Sequence, residues 1–364
     1  MSKKVLLIIA VLIAVLVSAS LVAAQSQLPG SGWWSGLQIQ NVGSNNASIS
    51  FQAYNSSGTS FPCGNKNVGP GASANFLTID CTALPAGFVG SAVASADQPI
   101  AAIVMVLNLS TNWDGTGLAA GTYRGTDGTD AATKIVFPLM KNNHYRRSTA
   151  LYIQNASDTD NNINVTVMIG TTSYTKSFTN VKPYTMVVVG PNDLSPQMPS
   201  GNGNYGSVTV TGTQALAGTA LEYETNVPVA NNLHAYTAFT PDDLAPKVYC
   251  PLIRSNAYKL NTGVNVQNLH SSAQKIRVTY SYTILGKGPV EKQVFEKGPI
   301  ASNAGVAFFT WDDLPDGAVG SAVVEGVDGG NIAVIVNDES FNQNPDKVTA
   351  YSCFPDTDGV TTLV

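Results

Sequence analysis

The chain has 364 residues, of which 12% are charged, and its net charge at pH 7 is −5. Because so few lysine and arginine side chains are available to neutralise phosphates, the composition argues against nucleic-acid binding. The polar surface must therefore come mainly from asparagine, serine, threonine and glycine.

The first residues predict export. Lys3 and Lys4 precede an apolar run at 5–17, and small residues then offer a peptidase site after Ala24. We therefore expect residues 1–24 to be a signal peptide and the protein to be secreted or held at the cell surface. The alternative is an uncleaved anchor, since a stretch of this length spans a bilayer of about 30 Å at about 1.5 Å per residue. The membrane would then be contacted through this segment alone.

Three short segments repeat along the chain, and each closes on Gln-Asn. They read GLQIQN, ALYIQN and GVNVQN and end at Asn41, Asn155 and Asn268. The steps between these asparagines are 114 and 113 residues, a usual length for one domain. The regular step predicts three tandem units, called units one, two and three below, with bounds at 25–125, 130–242 and 245–364.

Two other motifs keep the same step. LPAGFVGSAV at 84–93 returns as LPDGAVGSAV at 314–323, and KIVFPLMKNNHY at 134–145 aligns without a gap on KVYCPLIRSNAY at 247–258. Unrelated motifs do not stay in phase by chance. The repeated unit is therefore a whole domain rather than the short repeat of a solenoid.

Within the units, apolar residues alternate with polar ones. Val165, Val167 and Ile169 share one face, as in half-buried strands, and turn residues recur about every ten positions, as in β-sandwiches. Residues 100–106 and 332–336 are apolar on both faces. We expect each of these two segments to be the central strand of a sheet.

The Gln-Asn segments fit this pattern. In GLQIQN, Leu37 and Ile39 point one way and the two glutamines the other, which predicts a strand with one face on the core. Asn41 would end the strand, because asparagine tolerates a left-handed backbone and bonds to neighbouring amides. The alternative is that the three Gln-Asn pairs contact a repeated ligand.

The order of these motifs resembles tandem immunoglobulin-like modules of uncharacterised bacterial cell-surface proteins. The resemblance rests on the Pro-Leu segment, the strand ending in Gln-Asn, the Leu-Pro-x-Gly corner before Gly-Ser-Ala-Val, and the final apolar strand. It implies an all-β fold with three tandem immunoglobulin-like antiparallel β-sandwich domains after an N-terminal signal segment. It implies an architecture and no particular activity, because such a fold hosts many functions.

Four cysteines in an exported chain predict disulfide bonds. Cys63 and Cys81 lie inside unit one, and Cys250 and Cys353 bracket unit three. We expect one disulfide bond in each of these units, with free buried thiols as the alternative.

Export also raises the question of N-glycosylation. A chain rich in asparagine, serine and threonine forms acceptor triplets by accident, so each is a candidate only. The triplets begin at five asparagines, which are Asn46, Asn55, Asn108, Asn155 and Asn164.

The sequence carries no motif that predicts catalysis. It has no Gly-x-Ser-x-Gly elbow, no His-Glu-x-x-His and no phosphate-binding loop. Glu222 and Glu224 share a strand face and would suit the acid and nucleophile of a glycosidase, but we expect no third acid beside them. We therefore predict that the protein is not an enzyme.

The three histidines, His144, His234 and His270, fall at unrelated positions of the repeat. His144 aligns with Ala257, so the fold does not require a histidine there. We expect His144 to lie on the surface.

Two loops place carboxylates at alternate positions, as calcium-binding loops do. They carry Asp158 with Asp160 and Asp356 with Asp358. Neither loop has the full run of ligands with a distal glutamate, so solvated turns are favoured. We expect no cofactor, with calcium as the alternative.

Trp33 and Trp34 stand just before the first repeated strand. Adjacent strand residues face opposite sides, so at most one of them can lie in the core. The other would be free to stack on a sugar ring or to contact a partner chain. Packing at the edge of the domain is favoured over ligand binding.

The units differ at their starts. Units two and three begin with a strand-like segment at 134–139 and 247–252, whereas unit one has only QSQLPG at 25–30. The apolar segment GVTTLV at 359–364 follows unit three. An open sheet edge and a spare strand suggest head-to-tail strand addition, with a frayed tail and a tolerated edge as the alternative.

These patterns predict a structural or adhesive protein of the cell surface or extracellular matrix. Its expected partners are other copies of itself or other surface proteins. The alternative is a glycan-binding protein that uses exposed aromatic residues such as Trp33 or Trp34.

Overall fold

The structure is a computed structural model that describes residues 27–109, 118–225, 232–340 and 348–355. The predicted signal peptide lies outside these ranges. The chain is 64% strand and 4% helix, and every pair of neighbouring strands is antiparallel. The predicted all-β class is therefore confirmed.

The described part of unit one contributes seven strands, and a short 3-10 helix at Thr78–Asp80 follows the fourth. The strands are β1 (Trp33–Asn41), β2 (Ala47–Tyr54), β3 (Ser60–Val68), β4 (Ser73–Leu77), β5 (Ser91–Ala96), β6 (Ile100–Leu109) and β7 (Leu118–Arg124).

Unit two also contributes seven described strands, and a 3-10 helix at Pro191–Asp193 follows the fifth. The strands are β8 (Ala132–Lys141), β9 (Arg147–Asn155), β10 (Asn161–Ile169), β11 (Thr172–Val181), β12 (Met186–Val189), β13 (Tyr205–Glu224) and β14 (Leu233–Thr237).

Unit three follows a 3-10 helix at Pro241–Asp243 and holds one short α-helix, α1 (Thr310–Asp313). Its described strands are β15 (Lys247–Ser255), β16 (Asn261–Asn268), β17 (Gln274–Ile284), β18 (Lys287–Ile300), β19 (Gly305–Phe309), β20 (Ala318–Gly326), β21 (Ile332–Glu339), β22 (Val348–Ser352) and β23 (Phe354–Pro355).

The strands of units one and three form two sheets each. Their orders are β4-β1-β6-β7 and β3-β2-β5 in unit one, and β19-β16-β21-β22 and β18-β17-β20-β15-β23 in unit three. In unit two the 20-residue strand β13 belongs to both layers. Its first half pairs with β10 and β8, and its second half pairs with β9 and β14.

Residues at the same position of the repeat pair with equivalent residues of the neighbouring strand. Ile39 faces Ala102 in unit one, and the counterpart of Ile39 in unit three, Val266, faces Val334. The segments predicted to be central strands lie in β6, between β1 and β7, and in β21, between β16 and β22. The placement of both strands between two neighbours is confirmed; β21 is buried on both faces, whereas one face of β6 is exposed at Ile103 and Met105.

Apolar side chains from both sheets meet between the layers. In unit one they form a small cluster, Ile39, Ala47, Ile49, Phe51, Val68 and Phe76. A second cluster fills unit two and takes in Ala333 and Ile335 of unit three. A third joins units one and two, where Leu28 and Val106 meet Leu221. Consecutive units are therefore packed against each other, and each fully buried side chain of this size contributes about 1.5–3 kcal/mol.

The three Gln-Asn asparagines have a structural role. Asn41 is fully buried; its Nδ2 donates to the Asn45 and Val68 carbonyls at 2.7 and 2.9 Å, and its Oδ1 accepts from the Gly43 amide at 2.9 Å. Asn155 and Asn268 make the same set of bonds. The prediction of a left-handed backbone was wrong, since none of the three has a positive φ. The side chain serves by satisfying buried carbonyls of two loops at once.

Both predicted disulfide bonds are present. Cys63 is bonded to Cys81, and Cys250 to Cys353, with sequence separations of 18 and 103 residues. The second bond ties the segment after β22 to β15, the first strand of unit three.

Candidate functional site

One edge strand of unit one lacks the neighbour that its counterparts have. The first half of β13 lies between β10 and β8, and β20 lies between β17 and β15. Within the described ranges, β5 pairs only with β2. Its other edge therefore offers backbone N–H and C=O groups in the geometry that accepts a further strand.

The side chains of β5 are also less buried than those at the same positions of the other units, as expected for a strand with one unpaired edge. Ala92 and Ala94 of β5 are only half-buried, whereas their counterparts on β13, Val208 and Val210, are 0% exposed. In the opposite sheet, the Leu37 side chain of β1 is half-buried, although the side chain at the same repeat position on β9 is 0% exposed. The first strand of units two and three closes the space between the layers, and in unit one no described strand fills that position.

Together with the adjoining cleft between units one and two, this space forms a groove of about 1350 Å³, which is also lined by residues of unit two such as Tyr152 and Leu221. Apolar and small side chains line it, among them Leu37, Phe51, Ala94, Ile100, Ala102 and Val104. An extended segment with apolar residues at alternate positions would bury them here while its backbone paired with β5. The groove is therefore a candidate strand-acceptor site.

A second feature lies where units two and three meet. The Lys141 ammonium is 2.9 Å from Glu222 Oε1 and 3.1 Å from Glu339 Oε1, and Arg147 Nε is 3.3 Å from Glu339 Oε2. All four side chains are buried. Burial raises the pKa of Glu222, but the Lys141 ammonium, His234 and Arg147 together lower it by more, so the pKa stays well below its usual value.

The polar cluster contains the Lys141–Glu222 ion pair, and unit three has an ion pair at the same repeat positions. Arg254 of β15, the counterpart of Lys141, is ion-paired with Asp338, the counterpart of Glu222. In both units a threonine hydroxyl also accepts a hydrogen bond from the backbone amide of the basic residue, at 3.0 Å for Lys141 and 2.9 Å for Arg254. The pair fixes the first strand of the unit to β13 in unit two and to β21 in unit three.

The cluster contains a set of atoms that would suit a metal ion. Ligand atoms of Glu222, His234 and Glu339 lie within 4.8 Å of one another. The Lys141 ammonium already contacts both carboxylates, and two positive side chains, Lys141 and Arg147, balance the two negative ones. A divalent cation would leave an excess of buried positive charge, so we assign these residues to an ion-pair network.

Aromatic rings stand over this cluster. Trp311 stacks on Phe309 with ring centroids 4.5 Å apart, and Tyr205 lies between Phe309 and His144. The cleft that they line with Tyr145 encloses about 30 Å³, which is room for about one water molecule. A sugar ring does not fit in this cleft.

The structure corrects two predictions about polar residues. His144 is only 7% exposed; its ring packs against Tyr145 and Tyr205, and its Nδ1 accepts a hydrogen bond from the Gly203 amide at 2.9 Å. Burial, together with the Lys141 ammonium, lowers the pKa of His144 to about 4. The expected absence of a third acid near Glu222 was also wrong, since Glu339 comes in from unit three.

The remaining predicted polar residues are dispersed. His234 is buried in the polar cluster, His270 is half-buried in a unit-three loop, and Glu224 pairs with Arg146 at 3.3 Å instead of facing Glu222 across a substrate site. The alignment of Lys141 with Arg254 was the one sequence signal for the cluster.

The two tryptophans lie beside the groove. Trp33 packs against the cluster that joins units one and two, and its Nε1 donates to the Pro29 carbonyl at 2.9 Å. Trp34 is half-buried and lines the groove.

The calcium candidates are not brought together. The carboxylate of Asp160 accepts a hydrogen bond from the Lys182 ammonium at 2.6 Å, and Asp158 is exposed. Asp356 and Asp358 lie outside the described residues.

The five glycosylation candidates differ in accessibility. Asn108 and Asn155 are both 0% exposed, Asn55 is half-buried, and Asn46 and Asn164 are exposed.

Comparisons with known proteins do not assign the chain to a family. No protein-family model matches the chain, and no curated protein matches it. Among solved structures, the crystal structure of Thermotoga maritima 1070 is 14% identical and matches 31% of this chain and 95% of that chain, with a TM-score of 0.25. A similarity this weak carries no argument about fold or function. Within the described ranges, no helix has the length and apolar character needed to cross a membrane.

Proposed function

We propose that this protein is a secreted, non-enzymatic structural protein of the cell surface or matrix whose copies join head to tail. The observation that carries the proposal is the open edge of β5 above an apolar groove, at the position that β8 and β15 fill in the other two units. In this proposal the three units are immunoglobulin-like sandwich modules, and unit one is completed by a strand from another copy.

The donor segment in the proposal is the tail at 359–364, because it stands at the right position of the repeat. Arg124, Thr237 and Ser352 occupy equivalent positions on β7, β14 and β22, facing equivalent residues of the neighbouring strand. Lys134 and Lys247 follow the first two of these residues by ten positions, at the start of the first strands of units two and three.

Ten positions after Ser352 is Thr362. Thr362-Leu363-Val364 thus stand in phase with KIV at 134–136 and KVY at 247–249. The tail follows unit three just as β8 follows unit one and β15 follows unit two.

The repeat also gives the register of the proposed pairing. Ile135 faces Val210 on β13, and the position of Val210 is held by Ala94 on β5. Leu363, in the phase of Ile135, would therefore face Ala94, with its side chain directed into the groove. Thr362 would face solvent, as Lys134 does in unit two.

A second copy is the natural source of this strand. The inner edges of β13 and β20 are already occupied by β8 and β15, which leaves β5 as the acceptor among the described strands. The last described residue before the tail, Pro355, pairs with β15 of unit three, and unit two lies between units three and one in the order of packing. A heterologous contact of this kind repeats from copy to copy and builds an open chain of subunits.

The test is light scattering after size-exclusion chromatography of residues 25–364 across a concentration series. We expect masses above that of one chain that rise with concentration, because a short donor strand forms a weak interface. Deletion of residues 359–364 and the single change Leu363→Asp should both leave a monomer, since a charge would be buried in the groove. The matched control is Thr362→Asp, which places the same charge on the exposed side and should assemble as the parent chain does.

Assembly of the Leu363→Asp chain at the parent level would exclude the tail as donor. A parent chain that stays monomeric at every concentration would contradict the assembly proposal as a whole. In that case a glycan screen with Trp33→Ala and Trp34→Ala in turn would test the competing function, since both tryptophans line the groove.

A further inference from the structure

A second segment of the sequence stands in the phase of a first strand, and it precedes unit one. The step between β1 and β9 is 114 residues, so residues 20–27 correspond to Lys134–Lys141 of unit two. SLVAAQSQ at 20–27 therefore occupies the repeat position of KIVFPLMK at 134–141. Its apolar part, Leu21 to Ala24, corresponds to the residues of β8 that face β13.

The described start of the chain already lies at the groove. Leu28, Gly30, Ser31 and Gly32 line it. Leu28 is 8% exposed, so this entry point is fixed by packing. Six residues of extended chain span about 20 Å at about 3.3 Å per residue, which is enough to run from residue 27 back to residue 21 along the length of β5.

The alternation of side chains also suits the groove. In unit three, Val248 and Cys250 point inward while Tyr249 is exposed. The corresponding residues of the N-terminal segment are Leu21 and Ala23, which would point inward in this alignment, with Val22 between them. On the β5 side the position of Ala94 is held by valine in both other units, Val210 and Val324, so small donor side chains are compatible with the groove.

Resting on the proposed assembly, we infer that residues 20–24 fill the groove of their own unit one until the chain is cleaved after Ala24. Cleavage by a signal-type peptidase consumes one water molecule, breaks the peptide bond between Ala24 and Gln25, and leaves a carboxylate on Ala24 and an amine on Gln25. The freed segment then leaves, and β5 becomes available to the tail of another copy. Processing is thus the step that permits assembly.

The inference is tested by comparing residues 19–364, which keep the segment but lack the apolar run at 5–17, with residues 25–364. Two readouts are needed. Hydrogen exchange of the β5 amides, Ser91–Ala96, in dilute monomer reports whether the groove is filled from the same chain. Light scattering at high concentration reports assembly.

We expect the 19–364 chain to stay monomeric and to show β5 exchange at least tenfold slower than the 25–364 chain. Leu21→Asp in the longer chain should remove that protection and restore assembly. Ser20→Asp is the matched control, since residue 20 corresponds to exposed Lys134, and it should leave the protection intact.

The two readouts distinguish failure of this inference from failure of the proposed assembly. Equal β5 exchange and equal assembly of the two chains would overturn the inference and leave the proposed assembly standing. Slow β5 exchange in the longer chain, with no assembly of either chain, would show that the segment fills the groove and would overturn the proposed assembly and its control by cleavage.

Discussion

Lys141 and Glu222 form an ion pair that is buried between units two and three, with Nζ 2.9 Å from Oε1 and side chains 10% and 3% exposed. The two residues are 81 positions apart in the chain. Arg254 and Asp338 repeat the pair one unit later. The Lys141 ammonium also contacts Glu339 of unit three, so the Lys141–Glu222 pair joins two units as well as two strands.

Replacing Lys141 with methionine should therefore destabilise the protein strongly. The substitution keeps the side-chain length but leaves two buried carboxylates without their ammonium partner, which costs about 3–5 kcal/mol in comparable buried pairs. Urea unfolding followed by tryptophan fluorescence would measure the loss. Lys247→Met is the control, because its pair with Glu325 is solvent-exposed, and it should leave the midpoint nearly unchanged. Equal midpoints for the two variants would contradict the assignment.

Acid should destabilise the fold in two stages. The folded-state pKa of His144 is about 4, below its ordinary value of 6.5. A group with a lowered pKa stabilises the fold above its unfolded value, and this contribution is lost as pH falls from about 6.5 towards 4. The lowered pKa values of Glu222 and Glu339 add a further loss below about 4.5.

The measurement for this pH dependence is the melting temperature between pH 7.5 and 3.5. In His144→Ala the melting temperature should change less with pH above pH 4.5, and its steeper fall below pH 4.5 should remain. The repeat itself supplies the precedent for this variant, since unit three carries Ala257 at that position. An unchanged profile in His144→Ala would refute the role given to the histidine.

The Gln-Asn pairs allow a matched comparison within one dipeptide. Asn41→Ala removes two donated bonds and one accepted bond at a fully buried position, and the unsatisfied carbonyls left behind should cost about 2–3 kcal/mol. Gln40→Ala changes an exposed side chain with a single bond to the Gly71 carbonyl at 3.0 Å and should cost no more than about 0.5 kcal/mol. Hydrogen exchange of unit-one core amides would separate the two, and equal effects would favour the ligand-binding alternative.

The sequons should be used unequally when the protein is made in a glycosylating host. Asn46 and Asn164 are exposed and should carry glycans. Asn108 and Asn155 are fully buried, and the Asn155 amide is occupied by carbonyls of its own loops, so neither should be occupied in folded, secreted protein. Peptide mapping with and without glycosidase measures the occupancy. Glycans at Asn155 in folded protein would contradict its buried position.

The sequence predicted the strands, and it indicated that unit one lacks a first segment like those of units two and three, because both are local properties. Period-two alternation reports the burial of each strand residue, and the absence of a Lys-apolar-Pro-Leu segment before β1 is visible from the repeat. The polar cluster was not predictable in the same way. Lys141 and Glu339 are 198 residues apart, and their contact depends on how two units pack. His144 shows the same limit, since its alignment with alanine indicated only that the fold of one unit does not need it.

The register of the proposed assembly can be tested by a disulfide between copies. Directly opposed residues of antiparallel strands have Cβ atoms about 4.5–5.5 Å apart, near the range that a disulfide requires. In unit two Ile135 faces Val210, so a chain with Leu363→Cys mixed with a chain carrying Ala94→Cys should give an oxidised dimer. Ile103→Cys, on the exposed outer face of β6, is the control acceptor and should give little dimer. If both acceptors crosslink to the same extent, the tail does not pair with β5 in the register set by the repeat.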